Sequence, residues 1–281
     1  MSFRNLFLAT LFLTFSLSAQ AQKLQLGKTT LAGQFKQGGM VFGNTEPGTK
    51  ITLDGKNVRV TPKGDFVFGF GRDAKKQSEL IITSPGEATH KEQLTIAQRE
   101  YNIQRVEGVP QRTVTPSKES LARIRKETAQ IKKARATNSD LEYFLQTFEW
   151  PLIGPLTGFY GSQRYYNGEP RRPHYGLDIA APKGTLVHAP ADAVITLAHP
   201  DMFYSGGTLI MDHGYGISST FIHLSDVLVK SGDKVAKGDP VGKVGAGGRA
   251  TGPHLDWRIN WYGVRLDPQL LMPVMPTNPD K

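Results

Sequence analysis

The sequence predicts a mostly β protein, built as two β units joined by one helix. Three observations carry this. Short apolar runs separated by turn residues extend from Lys23 to about Val106, a basic helical pattern follows, and a glycine- and β-branched-rich stretch of short strands runs from Trp150 to Val274. The expected organisation is a leader at 1–21, an Ig-like β-sandwich at 22–107, a helical linker at 108–147, an antiparallel β domain at 148–275 and a tail at 276–281. At 281 residues with 38% hydrophobic content, the chain has enough apolar material for two ordinary cores.

The leader reads as a secretory signal peptide. "MSFRNLFLATLFLTFSLSAQA" has one early charge at Arg4, an apolar run from Leu6 to Leu17 and Ala19-Gln20-Ala21 as a small-residue cleavage site. The run is short for a bilayer span, so the alternative of a retained anchor is the weaker reading. There is no cysteine, which excludes disulfides, thiolate metal ligands and a lipidated cysteine at the cleavage site. The expectation is an exported, periplasmic or wall-associated protein with no stable membrane insertion once the leader is removed. The formal charge is +9, or +8 without Arg4, and suits an anionic partner such as a wall polymer or membrane surface. Nucleic acid is not expected, because no basic helix with base-stacking aromatics stands out.

In the first unit, "KITLDGKNVRV" predicts two strands joined at Asp54-Gly55, a tight-hairpin dipeptide. Phe66, Phe68 and Phe70 alternate, so their rings face one side, read as core in preference to a ligand platform. "SELIITS", "KEQLTIAQ" and "YNIQRV" continue the series, which at this spacing suggests the sandwich. His90 reads as a surface strand residue. In the linker, Thr115 is the expected N-cap and Pro116 the first helical residue. Leu121, Ile124, Thr128 and Ile131 form a narrow stripe among Arg123, Arg125, Lys126, Lys132, Lys133 and Arg135, read as a solvated basic face.

Six of the seven histidines fall between 174 and 254. "HYGLD" sets His174 four residues before Asp178, and Gly176 with the following "IAAPKGT" argues for loop and strand over helix. In "PHLDWRIN" a strand would turn His254 and Asp256 one way and Leu255, Trp257 and Ile259 to the core. "TFIHLS" adds His223, expected on the same face as Phe221 and Ser225. His188 and His199 read as strand-end packing or surface positions, and His213 as a turn residue.

Taken together, "GFYGSQRYYNGEPRRPHYG", "HYGLDIAAPKGTLVHAPADAVI", "MDHGYGISSTFIHLS" and "AKGDPVGKVGAGGRATGPHLDW" resemble the M23 family of zinc metalloendopeptidases, the lysostaphin-type or LytM-domain murein hydrolases. The resemblance runs in collinear order over roughly 154–271. It implies a compact antiparallel β fold with a groove holding one Zn2+, ligated by His174 and Asp178 of the H-x3-D motif. His223 and His254 would be the catalytic pair. The family's third ligand is the second histidine of H-x-H, and here that position holds Asp256. An aspartate Oδ is as many bonds from its backbone as a histidine Nδ1, and aspartate is an accepted zinc ligand. Two carboxylates and one imidazole would cancel the zinc charge and lower its Lewis acidity. The alternative is that Asp256 pairs with Arg258, two residues on and facing the same way.

The function the resemblance implies is zinc-dependent hydrolysis of peptide bonds in peptidoglycan stem peptides or cross-links, with a D-alanyl–diaminopimelate link favoured over a glycyl bridge. The alternative is an inactive M23-like module that binds the wall or activates another cell-wall hydrolase, with a cell-wall protein as partner.

Overall fold

The computed structural model describes residues 22–276; the leader at 1–21 and residues 277–281 of the tail lie outside the described residues. The first half holds two four-stranded antiparallel sheets. One, in the order β1-β2-β3-β6, comprises β1 (Gln22–Leu26), β2 (Thr29–Gly33), β3 (Met40–Asn44) and β6 (Asp65–Gly69). The other, ordered β5-β4-β7-β8, comprises β4 (Lys50–Leu53), β5 (Lys56–Val58), β7 (Gln77–Thr83) and β8 (His90–Thr95). Between β4 and β5, Asp54 and Gly55 take φ of 49° and 75°, the two left-handed residues that let a two-residue turn match strand twist. Phe66, Phe68 and Phe70 are buried, with Phe66 stacked on Phe68 at 6.2 Å and Phe70 edge-on to Phe68 at 5.6 Å. His90 lies in β8 beside Glu92 at 3.4 Å, half-exposed.

"YNIQRV" does not extend this series. Its strand β9 (Ile103–Val106) pairs in parallel with β11 (Gln163–Tyr166), which carries β12 (Glu169–Pro170) on its other edge. The two halves are thereby stitched by backbone hydrogen bonds, which amphipathic patterning within one run cannot specify. They also share one continuous core, with Phe35, Phe68 and Leu80 in the same cluster as Leu177, Phe221 and Trp257. Arg99 reaches across to the buried Asp267 at 2.8 Å.

The connection holds a short helix α1 (Gln111–Val114) and the longer α2 (Lys118–Arg135). The cap of α2 is Ser117, whose hydroxyl accepts from Ser120 N, while Thr115 closes α1 instead. Ser117 is extended at φ −68°, ψ 164°, as an N-cap requires. The buried positions of α2 are Glu127 and Ala134, with Ile124 and Ile131 half-buried and Leu121 and Thr128 exposed. The stripe is rotated because Glu127 is used as an acceptor, taking hydrogen bonds from Arg123 Nε and Phe203 N at 2.6 and 2.8 Å.

The second half is a ten-stranded sheet whose main path runs β10-β13-β20-β17-β16-β15-β18. Its strands are β10 (Leu156–Gly158), β13 (Leu177–Ala180), β14 (Leu186–His188), β15 (Ala193–Met202), β16 (Gly206–Gly214), β17 (Ile217–Val227), β18 (Lys234–Val235), β19 (Pro240–Val244), β20 (His254–Trp261) and β21 (Val264–Leu266). β14 pairs with β19, β19 with β17, and β21 with β20. Leu255, Trp257 and Ile259 of β20 are all fully buried on the core face, with Trp150 edge-on to Trp257 at 6.0 Å. No helix among the described residues is long and apolar enough to cross a membrane.

Candidate metal centre

Two neighbouring strands meet at the site. β13 and β20 pair antiparallel with Asp178 opposite Asp256, so both carboxylates leave the sheet on one face. His174 precedes β13 in a loop fixed by backbone bonds from His174 N to Ser162 O and from Gly161 N to His174 O, at 2.8 and 2.7 Å. One ligand atom each from His174, Asp178 and Asp256 lies within 4.8 Å of the others, and all three residues are buried.

His174 Nε2 stands 3.0 Å from Asp178 Oδ1 and Nδ1 stands 3.9 Å from Asp256 Oδ2, neither in hydrogen-bonding alignment. Both ring nitrogens of His174 and Oδ1 of Asp178 are therefore buried without a hydrogen-bond partner. Orphaned polar atoms of this kind are costly unless something else occupies them. One imidazole and two carboxylates converge here, with both nitrogens of His174 and one oxygen of Asp178 unsatisfied, a donor set that fits zinc.

Each carboxylate is backed by an arginine. Arg164 Nη2 donates to Asp178 Oδ2 at 2.5 Å, and Arg258 donates to both oxygens of Asp256, Nε to Oδ1 at 2.9 Å and Nη2 to Oδ2 at 2.6 Å. A carboxylate has about four lone-pair sites, so these bonds leave capacity for a metal. Burial pushes Asp178 upward, but the facing His174 and Arg164 override it and hold the acid at about 2. Burial likewise opposes ionisation of Asp256, and Arg258 holds it well below the usual carboxylate range.

His223 and His254 flank this cluster with ring centroids 4.8 Å apart. His223 does not share a face with Phe221 as strand alternation predicts. Its φ is 67°, and the irregular register of β17 beside it sends Phe221 and Leu224 to the core while His223 turns toward the site. A left-handed histidine stores roughly 1–3 kcal/mol of strain. It is pinned by His223 N donating to Ser205 O at 2.7 Å. His223 Nδ1 lies 2.8 Å from Gly247 O, and His254 Nδ1 lies 2.9 Å from Gly252 O. A carbonyl only accepts, so both Nδ1 atoms carry the hydrogen, which leaves Nε2 of each ring as the atom that gains or loses a proton. His254 Nε2 is 3.9 Å from Asp178 Oδ1. Burial, with the neighbouring His254 second, lowers His223 to about 4, so its ring is neutral near pH 7.

The other histidines stand apart from this cluster. His213 is in β16 and not in a turn; it is fully buried with Nδ1 2.8 Å from Asp192 O and Nε2 2.8 Å from Ser219 Oγ. His188 sits in β14, and His199 Nδ1 accepts from Asp201 N at 3.1 Å. Sequence reasoning did not single out Arg164. Its available signal was alternation with Tyr166 on β11, since Arg164 Nη1 also donates to Tyr166 OH at 3.0 Å.

The model of peptidase family M23 matches residues 172–268, a span that contains all five of these acids and histidines. A crystal structure of a putative peptidase M23 from Pseudomonas aeruginosa is 31% identical, with a TM-score of 0.65, covering 85% of this chain and 95% of that one. The chain belongs to peptidase family M23. It is also similar to peptidoglycan DD-endopeptidase ShyA of Vibrio cholerae, 38% identical over 104 residues, 33% of this chain and 24% of the relative. The DD-carboxypeptidase/endopeptidase Mpg of Neisseria meningitidis is 39% identical over 97 residues, 34% of this chain and 22% of the relative. These matches span about a quarter of the curated relatives' length.

Proposed function

We propose that this protein is an exported zinc-dependent endopeptidase that hydrolyses peptide bonds in peptidoglycan stem peptides or cross-links. The observation that carries the reading is the buried His174–Asp178–Asp256 cluster, in which His174 and one oxygen of Asp178 are unpartnered, beside the imidazoles of His223 and His254. His174, Asp178 and Asp256 would hold the ion, which when bound polarises the scissile carbonyl and acidifies water. His223 and His254 are the catalytic pair. With Nδ1 of each committed to a backbone carbonyl, Nε2 is the atom that handles the proton. Between them they accept one proton from the attacking water and return one to the leaving amine. Arg164 and Arg258 fix the carboxylates in place. The endopeptidase names of the Vibrio and Neisseria relatives support the substrate class.

One observation favours a second reading, an inactive module that binds the wall or activates another hydrolase: Arg258 already occupies both oxygens of Asp256. Digestion of cross-linked muropeptides separates the two. Under the proposal, folded His223→Ala loses about 10²–10⁴ of the wild-type rate. If wild-type protein supplied with zinc releases no product, the module reading takes its place.

A further inference from the structure

A cleft of about 1300 Å³ opens beside His174 and extends between the two halves of the molecule. Among the described residues, nine lysine and arginine side chains line it against two aspartates. Most of these cations are spoken for or stand in solvent. Arg164 and Arg258 are held by Asp178 and Asp256, and Arg72 by Asp73. Arg249 is different. It is half-buried, and no carboxylate lies within 4.0 Å of its guanidinium among the described residues.

What surrounds Arg249 is aromatic. Its guanidinium carbon lies 5.0 Å from the Tyr166 ring centroid and 4.5 Å from that of Tyr204. Among the described residues its one side-chain hydrogen bond runs from Nη1 to Thr113 O at 3.5 Å, a long one. Two rings fix a guanidinium strongly but take no N–H, so the donor edge of the fork is left for a planar anion. Burial, the largest influence, pushes Arg249 below its usual range, which an incoming anion would reverse.

The location ties this arginine to the metal centre. Arg164 donates to Asp178 Oδ2 with one nitrogen and to Tyr166 OH with another, and Tyr166 is the ring that carries Arg249. Two side chains thus separate Arg249 from a metal-centre carboxylate. We propose that Arg249, clamped between Tyr166 and Tyr204, is a specificity-determining receptor for a free carboxylate on the peptide bound in this cleft. The substrate is then an acidic stem peptide and not an uncharged glycyl bridge. This deepens the endopeptidase reading and rests on it for the identity of the peptide, but recognition can be measured without cleavage.

The test is calorimetric binding of two uncross-linked stem peptides to the full chain, one with free side-branch carboxylates and one with those groups converted to carboxamides. Wild-type protein binds the carboxylate form about 10- to 100-fold more tightly, the range for a charge-assisted bidentate hydrogen bond. Arg249→Gln removes that preference, and Arg249→Lys, which keeps the charge but loses the fork, retains part of it. A thermal melt of each variant checks folding. Equal binding of the two peptides by wild type, or an undiminished preference in folded Arg249→Gln, overturns the proposal. Selective binding without hydrolysis of any cross-linked peptide supports the receptor while refuting the endopeptidase; hydrolysis with no carboxylate preference does the reverse.

Discussion

Arg258 closes a bidentate bridge onto Asp256 from the next position on the same side of β20, with contacts of 2.9 and 2.6 Å. The carboxylate that replaces the family's histidine therefore brings its own counter-charge. The sum of two carboxylates and one imidazole against zinc, which looks neutral in the sequence, omits Arg258 and also Arg164 on Asp178. The altered centre is an Asp–Arg pair standing where the pattern has one ligand.

Cutting the Asp256–Arg258 bridge on one side leaves an uncompensated buried carboxylate. Arg258→Met is expected to destabilise the zinc-free protein by about 3–5 kcal/mol, the range for breaking a buried pair. Zinc should recover part of that loss, because the ion then neutralises Asp256 in place of the guanidinium. Urea denaturation with and without zinc reads both effects. A change under 1 kcal/mol would mean the bridge does not hold in solution.

Gly176 is required by close approach. A Cβ there would lie 2.0 Å from Asp256 Oδ1, 2.8 Å from Arg258 Cγ and 2.9 Å from Trp257 O. The backbone carbonyl cannot rotate away, so Gly176→Ala must displace the Asp–Arg pair. Zinc affinity should fall about 10- to 100-fold, as for lost support of a ligand. Competition against a chelator measures it, and an unchanged constant would exclude Asp256 from the ligand set.

His213 predicts a pH dependence of stability that does not involve the candidate metal centre. Burial lowers it to about 4 in the folded protein against 6.5 for the free side chain. The unfolded chain therefore binds a proton first, so stability is full above pH 6.5 and is lost as pH falls toward 4. The loss is on the order of 3 kcal/mol for this group. His223 acts in the same direction, whereas Asp178, at about 2, titrates below this window. His213→Gln should flatten the slope of unfolding free energy between pH 6.5 and 4; an identical slope in the variant would contradict the assignment.

Patterns confined to one strand were legible in the sequence. Asp54-Gly55 is a hairpin turn because of its chemistry, and Leu255, Trp257 and Ile259 declare the core face of β20, which sends His254 and Asp256 the other way. Features that depend on partners were not legible. His223 leaves the alternation through a left-handed backbone that only its tertiary surroundings stabilise. β9 finds a parallel partner some sixty residues away, its Gln104 opposite Arg164. Ser117 displaced Thr115 as the cap because two residues of similar capping preference stand two positions apart and the chain path decides between them. Glu127 is buried on a helix face that composition marks as polar, because Phe203 N needs an acceptor. The pairing of Asp256 with Arg258 was visible as an alternative to ligation; the structure shows the pairing and the convergence with His174 and Asp178 together.

The most direct measurement is the zinc content of the purified protein beside its Asp256→Ala variant, with cross-linked muropeptide digestion run on both. The account predicts one zinc per wild-type chain, and loss of both metal and cleavage in the variant. Zinc and cleavage retained in Asp256→Ala would contradict Asp256 as a ligand, and no zinc in wild type under saturating supply would contradict the metal centre itself.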